Sequence, residues 1–208
     1  MSVAETKSFE GAIACGSDPA VLSRIAEPTI TLAIWRRQLA ADLKSAAAKI
    51  SKRDVDLVTS LNPNSNDDRQ RFTGEIGTLA DGAGKALAHD LLDLAERYIK
   101  IIPGRTARIR FETVKDDGCR RFHLDNVAAR LIVTYHGPGT QWVSPALAST
   151  ARERQSDYAG PLNSIRAGDV AIFRGKKSGA ADLILHRSPP LTPVEGARLV
   201  AVVDGVDA

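Results

Sequence analysis

The chain has 208 residues, 43% of them hydrophobic and 25% charged, with a net charge of +3. This balance excludes a disordered tail or a membrane-embedded bundle, and the length is enough for a globular unit with a substantial core. The mild basic excess is too thin for the dense patch that nucleic acid demands. Only two cysteines occur, Cys15 and Cys119, far apart and without a CxxC pair. A disulfide-stapled secreted scaffold is therefore not expected. The first 25 residues show no basic head followed by an apolar run, and no stretch has the length of a membrane span. The expectation is a soluble, cytoplasmic protein.

Residues 1–30 read as an irregular lead-in, with Pro19 and Pro28 as breakers. Residues 31–50 place Trp35, Leu39, Leu43, Ala46 or Ala47, and Ile50 at helical spacing, with Arg36, Arg37, Asp42 and Lys44 on the other face. An amphipathic helix is predicted there. Residues 62–68 are rich in turn formers and read as a loop. A second helix is predicted over 77–101. Its stripe is Leu79, Ala83, Leu87, Leu91, Leu94 and Tyr98, and Pro103 and Gly104 end it.

From residue 105 the rhythm changes to period two. Residues 106–114 alternate Ile109, Phe111 and Thr113 against Arg108, Arg110 and Glu112. Strands are also expected at 128–135, 140–143, 169–174, 181–186 and 197–204, with Gly137, Pro138 and Gly139 as a turn and 146–159 as loop. Many short strands with frequent turns predict a sandwich or barrel. The chain thus divides into a lead-in (1–30), a helical part (31–104) and a β-barrel (105–208), packed as one compact α+β unit.

Three of the four histidines, His123, His136 and His186, fall in the barrel part, and only His89 falls outside it. His123 and Asp125 form a His-x-Asp pair. On an extended segment, residues i and i+2 point the same way, so an imidazole and a carboxylate can hold one ion together. His186 ends a later strand, which barrel closure can bring opposite the pair. Two histidines and one carboxylate leave positions open and form the ligand set of non-haem Fe(II) sites. A His-x-Asp pair alone also occurs as an ordinary structural hydrogen bond. Arg198 follows His186 by twelve residues, flanked by Ala197, Leu199 and Val200. It reads either as a fork for a carboxylate or as an edge-strand arginine in water.

These residues carry a resemblance. CRRFHLDNVAARLIVTYHGPGTQWVSP at 119–145, GDVAIFRG at 168–175, HRSPP at 186–190 and RLVAVVD at 198–204 resemble the domain-of-unknown-function family numbered 1826. More widely, His-x-Asp, a Gly-Asp-Val strand, a distal His and an Arg look like the 2-oxoglutarate and Fe(II)-dependent oxygenase superfamily. That resemblance implies a double-stranded β-helix, a jelly-roll or cupin-like barrel with the N-terminal helices packed on it. It implies iron on His123, Asp125 and His186. It also implies Arg198 as the residue that holds the far carboxylate of 2-oxoglutarate. The activity implied is hydroxylation by a dioxygenase of a small-molecule or protein substrate that the sequence does not name. The resemblance also includes some relatives associated with zinc-responsive gene sets, which keeps a second expectation, a non-catalytic protein of zinc or other metal homeostasis.

Other residues frame the site. Tyr135 and Thr140 flank the 137–139 turn, and their hydroxyls are candidates for a bound carboxylate or for plain strand packing. Trp142 is a pocket or a core residue, and Ser188 a support for the turn. Arg130 faces either the cavity or solvent. Cys119 is a soft fourth ligand that would favour zinc, or a small buried hydrophobe. His136 is a ligand or an exposed turn residue. Arg105, Arg108, Arg110, Arg120 and Arg121 would make the entrance basic, or guard a solvated strand edge.

Overall fold

A period-two rhythm sorts the strands onto two faces of one large sheet. The computed structural model describes residues 12–80, 82–102, 106–115, 119–192 and 196–206. Strands β4 (Thr106–Val114), β5 (Ala129–His136), β8 (Val170–Arg174) and β10 (Arg198–Val206) form its centre. Ile109 and Phe111 of β4, Leu131, Val133 and Tyr135 of β5, Val170 and Ile172 of β8, and Leu199, Ala201 and Val203 of β10 enter one core. The alternate residues Ile132, Ala171, Phe173, Val200 and Val202 enter a second core on the other face. Side chains at successive strand positions point to opposite faces, so this division follows from the sequence alternation alone.

The first face is covered by helices. α1 (Ala41–Ile50), α2 (Asn66–Gly77) and α3 (Gly84–Ile101) bury Ala46, Ile50, Phe72, Ile76, Leu87, Leu91, Leu94 and Tyr98 against it. The Tyr98 hydroxyl donates to Ala129 O at 2.7 Å and accepts from Gly205 N at 3.3 Å. It thereby ties α3 to the ends of β5 and β10. The second face is covered by a small sheet of β6 (Gln141–Trp142), β7 (Asn163–Ser164) and β9 (His186–Arg187), in the order β7-β6-β9. Trp142 packs from it into the second core, so the structure makes Trp142 a core residue.

The large sheet has the order β1-β2-β8-β5-β10-β4-β3. Its edges come from the N-terminal half: β1 (Ile13–Gly16) and β2 (Leu32–Trp35) on one side, β3 (Asp56–Leu61) on the other. After β4 the chain alternates between the sheets: β5 in the large, β6 and β7 in the small, β8 large, β9 small, β10 large. Among the described residues the two sheets remain separate ladders, and no pairing closes them into a barrel.

Several expectations are corrected here. The described part of the lead-in is not irregular: it holds β1 and a 3-10 helix at Pro19–Ala26 that buries Leu22 and Ile25; residues 1–11 lie outside the described residues. The helix predicted from 31 begins only at Ala41, because Leu32–Trp35 is a continuous apolar run buried on both faces. Trp35 falls four residues before Leu39 and so mimics the helical stripe. The loop at 62–68 gives way to α2 at Asn66, where the Ser65 hydroxyl caps Asp68 N at 3.3 Å and Asp67 and Asp68 favour the helix N-terminus. The second helix starts at Gly84 rather than 77; Pro103 and Gly104 lie outside the described residues. Residues 146–159 contain α4 (Ala148–Arg154). Of 181–186, only His186 is in a ladder.

The face assignment of β5 is testable. Tyr135 points to the helices, where its hydroxyl donates to Asp90 Oδ2 at 2.7 Å. Asp90 keeps its fork to Arg37 without it. Tyr135→Phe should cost about 1–2 kcal/mol in denaturant unfolding and leave metal affinity unchanged.

Candidate metal centre

Backbone pairing brings the two histidines together. His123 N donates to His186 O at 3.0 Å, and His186 N donates to His123 O at 3.2 Å. This reciprocal bridge makes them direct cross-strand neighbours and extends the small sheet by one position. Ser188 N donates to Cys119 O at 2.9 Å and continues the contact. Neighbouring side chains of such a pair share a face, and the two rings lie 4.6 Å apart between centroids. Asp125, two residues after His123, joins them. Its carbonyl is held by Lys176 N at 2.9 Å, just beyond β8.

The ring orientations suit an ion. His123 Nδ1 lies 2.8 Å from Arg121 O and His186 Nδ1 lies 3.3 Å from Ile184 O. A carbonyl only accepts, so Nδ1 carries the proton in both rings and Nε2 keeps its lone pair. These are the ring nitrogens that face the carboxylate: His123 Nε2 is 3.8 Å from Asp125 Oδ1, and His186 Nε2 is 3.2 Å from Asp125 Oδ2. Oδ2 is buried and has no hydrogen-bond partner among the described residues. One ligand atom from each of the three residues lies within 4.8 Å of the others. Two imidazole lone pairs and an orphaned carboxylate oxygen, all converging, fit a divalent cation.

Electrostatics agree. Burial lowers the His123 pKa and the neighbouring His186 lowers it further, against Arg121 O and Asp125, so the neutral, ligating form is favoured. Burial pushes the Asp125 carboxyl up. The groups facing it, with the Arg130 guanidinium as the permanent charge among them, outweigh that and hold it below the usual range. Oδ1 accepts from Arg130 Nη1.

The centre opens into a cavity of about 640 Å³. Its floor is Ile132, Val200 and Val202, and Arg198 lies in it, only 2% exposed. Arg198 Nε donates to Pro138 O at 2.7 Å, Nη1 to Ser188 Oγ at 2.9 Å, and Nη2 to Thr134 Oγ1 at 3.3 Å and Thr140 Oγ1 at 3.5 Å. Every one of these acceptors is neutral. Burial lowers the Arg198 pKa to about 10, with Glu112 opposing, so the guanidinium stays charged at neutral pH. A buried cation whose hydrogen bonds, among the described residues, all go to neutral oxygens is poised for an anion. The 137–139 turn is built onto this arginine. Gly137 has φ +81°, and a Cβ there would lie 3.1 Å from Arg198 Cα; a Cβ on Gly139 would meet Ile165 O at 1.5 Å.

Of the residues singled out from the sequence, His123, Asp125 and His186 converge, and Arg198 and Thr140 line the same cavity. Tyr135 does not, because its strand position turns it to Asp90. Thr134, one residue earlier, faces the other way and accepts from Arg198 Nη2, so it supports the arginine without itself lining the cavity. Ser188 bonds Arg198 directly, and Arg130 faces the cavity. Proximity to the turn does not pick out Thr134, although alternation along β5 does. Cys119 Sγ lies 3.7 Å from both ring nitrogens of His123 and is exposed, so it is not a buried hydrophobe. His136 is half-buried at the end of β5 and does not line the cavity. The entrance is mixed rather than basic. Arg110 and Lys115 are matched there by Glu112, Asp54 and Asp56; Arg105 lies outside the described residues.

Comparisons with known proteins add a family. No curated protein matches the sequence. Among solved structures, the chain is similar to the dioxygenase for auxin oxidation 1 from Arabidopsis thaliana in its 2-oxoglutarate complex. The identity is 11%, the TM-score 0.47, and 94% of this chain and 92% of that one are covered. It is similar to a Pseudomonas putida prolyl-4-hydroxylase at 17% identity and a TM-score of 0.47, covering 91% and 94%. It is also similar to an N-substituted L-amino acid dioxygenase from Burkholderia ambifaria at 8% identity and a TM-score of 0.44, covering 88% and 85%. A family model described as "Protein of unknown function (DUF1826)" matches residues 16–204, nearly the whole chain, and the protein belongs to that family.

Proposed function

We propose that this protein is a non-haem Fe(II), 2-oxoglutarate-dependent dioxygenase built on a double-stranded β-helix. The observation that carries the reading is a His-Asp-His cluster sharing one cavity with a buried arginine whose hydrogen bonds, among the described residues, go to neutral oxygens. A dicarboxylate that meets the metal at one end needs a cation at the other, and this cavity holds both. The chain's alternation between a large and a small sheet supports the fold, since a jelly roll is connected that way.

His123, Asp125 and His186 would hold the ion through Nε2, Oδ2 and Nε2. Bound there, Fe(II) would supply the redox chemistry by which one dioxygen oxidises 2-oxoglutarate to succinate and carbon dioxide with one of its atoms and hydroxylates a C–H bond with the other. Arg198 would pair with the far carboxylate. The hydroxyls of Thr134, Thr140 and Ser188 hold its guanidinium in place, and Thr140 and Ser188 also line the cavity where that anion would lie. Ile132, Val200 and Val202 keep the floor dry, which strengthens every polar contact above it. The substrate would enter past the Arg110–Glu112 and Lys115–Asp54 pairs. No described helix is long and apolar enough to cross a membrane, and action in the cytoplasm belongs to this proposal.

Succinate release from 2-oxoglutarate by anaerobically iron-loaded protein, started with dioxygen, tests the reading. Wild-type protein should turn over slowly without substrate. Metal binding with no 2-oxoglutarate affinity would sink the dioxygenase reading and favour a metal-homeostasis protein, with Cys119 beside His123 as the further donor to examine.

Arg198→Ala should weaken 2-oxoglutarate binding to the Mn(II)-loaded protein by roughly 10–100-fold, the worth of a charged hydrogen-bonded contact. Metal affinity should be retained, and titration calorimetry measures both. The metal site also has a pH signature. A histidine whose pKa is lowered takes up its competing proton only below the ordinary imidazole range. Co(II) affinity should therefore hold as pH falls through about 6.5 and decline at lower pH, read by the Co(II) absorption bands.

A further inference from the structure

Arg130 sits five residues after Asp125, on the cavity face of β5, and uses all three guanidinium nitrogens. Nη1 donates to Asp125 Oδ1. Nε donates to Asp204 Oδ1 at 2.8 Å and Nη2 to Asp204 Oδ2 at 2.7 Å. Asp204 is its direct cross-strand partner on β10, so the sheet register itself sets this fork. The guanidinium is half-buried and cannot swing away without breaking a bidentate ion pair.

The consequence falls on Asp125. One of its oxygens, Oδ1, is occupied by Arg130, and the other, Oδ2, is buried and without a hydrogen bond. From this geometry we infer that Arg130, anchored by Asp204, is a positioning residue that restricts Asp125 to a single metal-ligating oxygen. The inference rests on the metal-site reading given above. A carboxylate free to turn both oxygens to an ion takes two coordination positions. A centre that must also accept a chelating cosubstrate cannot spare the second one.

Charge balance explains why two carboxylates are needed. An arginine beside a dication weakens cation binding by repulsion. The group Asp125–Arg130–Asp204 carries the same net charge as Asp125 alone, so Asp204 offsets that repulsion while holding the fork in place.

The test reads coordination directly and needs no turnover. Water-proton relaxation by the Mn(II)-loaded protein reports how many exchangeable waters remain on the ion, and oxalate serves as a chelating probe. Arg130→Met should keep Mn(II) affinity within a few-fold, lose bound water, and bind oxalate about 10-fold more weakly, on the scale of a lost supporting contact. Arg130→Lys, which keeps a donor to Oδ1, should recover part of both. Asp204→Asn should shift both readouts in the same direction as Arg130→Met, and it carries the test if Arg130→Met does not fold. Unchanged water count and oxalate affinity in the folded variants would overturn the inference, as would loss of Mn(II) with the fold intact. A wild-type protein that binds no Mn(II) would instead overturn the metal-site reading itself.

Discussion

The reciprocal hydrogen bonds between His123 and His186 are the constraint on which the site depends. They set two imidazoles side by side without any help from side-chain chemistry. Once that pair exists, Asp125 follows by strand alternation. Its carbonyl, bonded to Lys176 N, fixes the loop to the end of β8. The second half of the site is set by another backbone feature. The register of β10 against β5 shifts between Leu199 and Val200, so Leu199 lies opposite His136 while Val200 lies opposite Thr134. Arg198 begins the strand beyond this shift and turns into the cavity beneath the 137–139 turn.

The two faces of the large sheet divide the work. Toward the helices, Leu131, Val133, Leu199, Ala201 and Val203 build a broad apolar core. Toward the small sheet, the same strands present Arg130, Ile132, Thr134, Arg198, Val200, Val202 and Asp204. An apolar floor flanked by charged groups at both ends is what a polar ligand needs to be held and desolvated together. The buried arginine is destabilising by itself, since a cation among neutral oxygens forgoes its hydration. The helical layer supplies the burial that offsets such a cost, in line with the strain and unpaired charge that functional sites store.

Much of this is legible in the residues. His123 with Asp125 stands out by its spacing, His186 as a histidine at the end of a later apolar run, and Arg198 by its apolar neighbours Ala197, Leu199 and Val200. Tyr135 shows where inspection by proximity fails. Its place next to the turn suggests the cavity, whereas period-two alternation in ARLIVTYH assigns that face to Thr134. Arg130 is ambiguous in the sequence because nothing local reveals Asp204, its partner on a strand far along the chain. The N-terminal strands are hidden for different reasons. Leu32–Trp35 is short, and its last residue continues a helical stripe. β3 shows no apolar run because its residues are mostly exposed or half-buried at a sheet edge. The start of α2 is obscured by its polar composition, although Ser65 and two aspartates form a helix-start pattern.

The bridge between His123 and His186 has a thermodynamic side as well. The three donor atoms come from two chain segments, one carrying His123 and Asp125 and the other His186, that are distant in sequence and meet only in the folded protein. An ion there behaves as a reversible cross-link that closes a long loop, and the unfolded chain has no equivalent site to offer it. Metal binding energy is then folding energy, growing with the logarithm of free metal over the dissociation constant. The abundance of folded protein would thus be coupled to the supply of the ion, independently of any chemistry the centre performs.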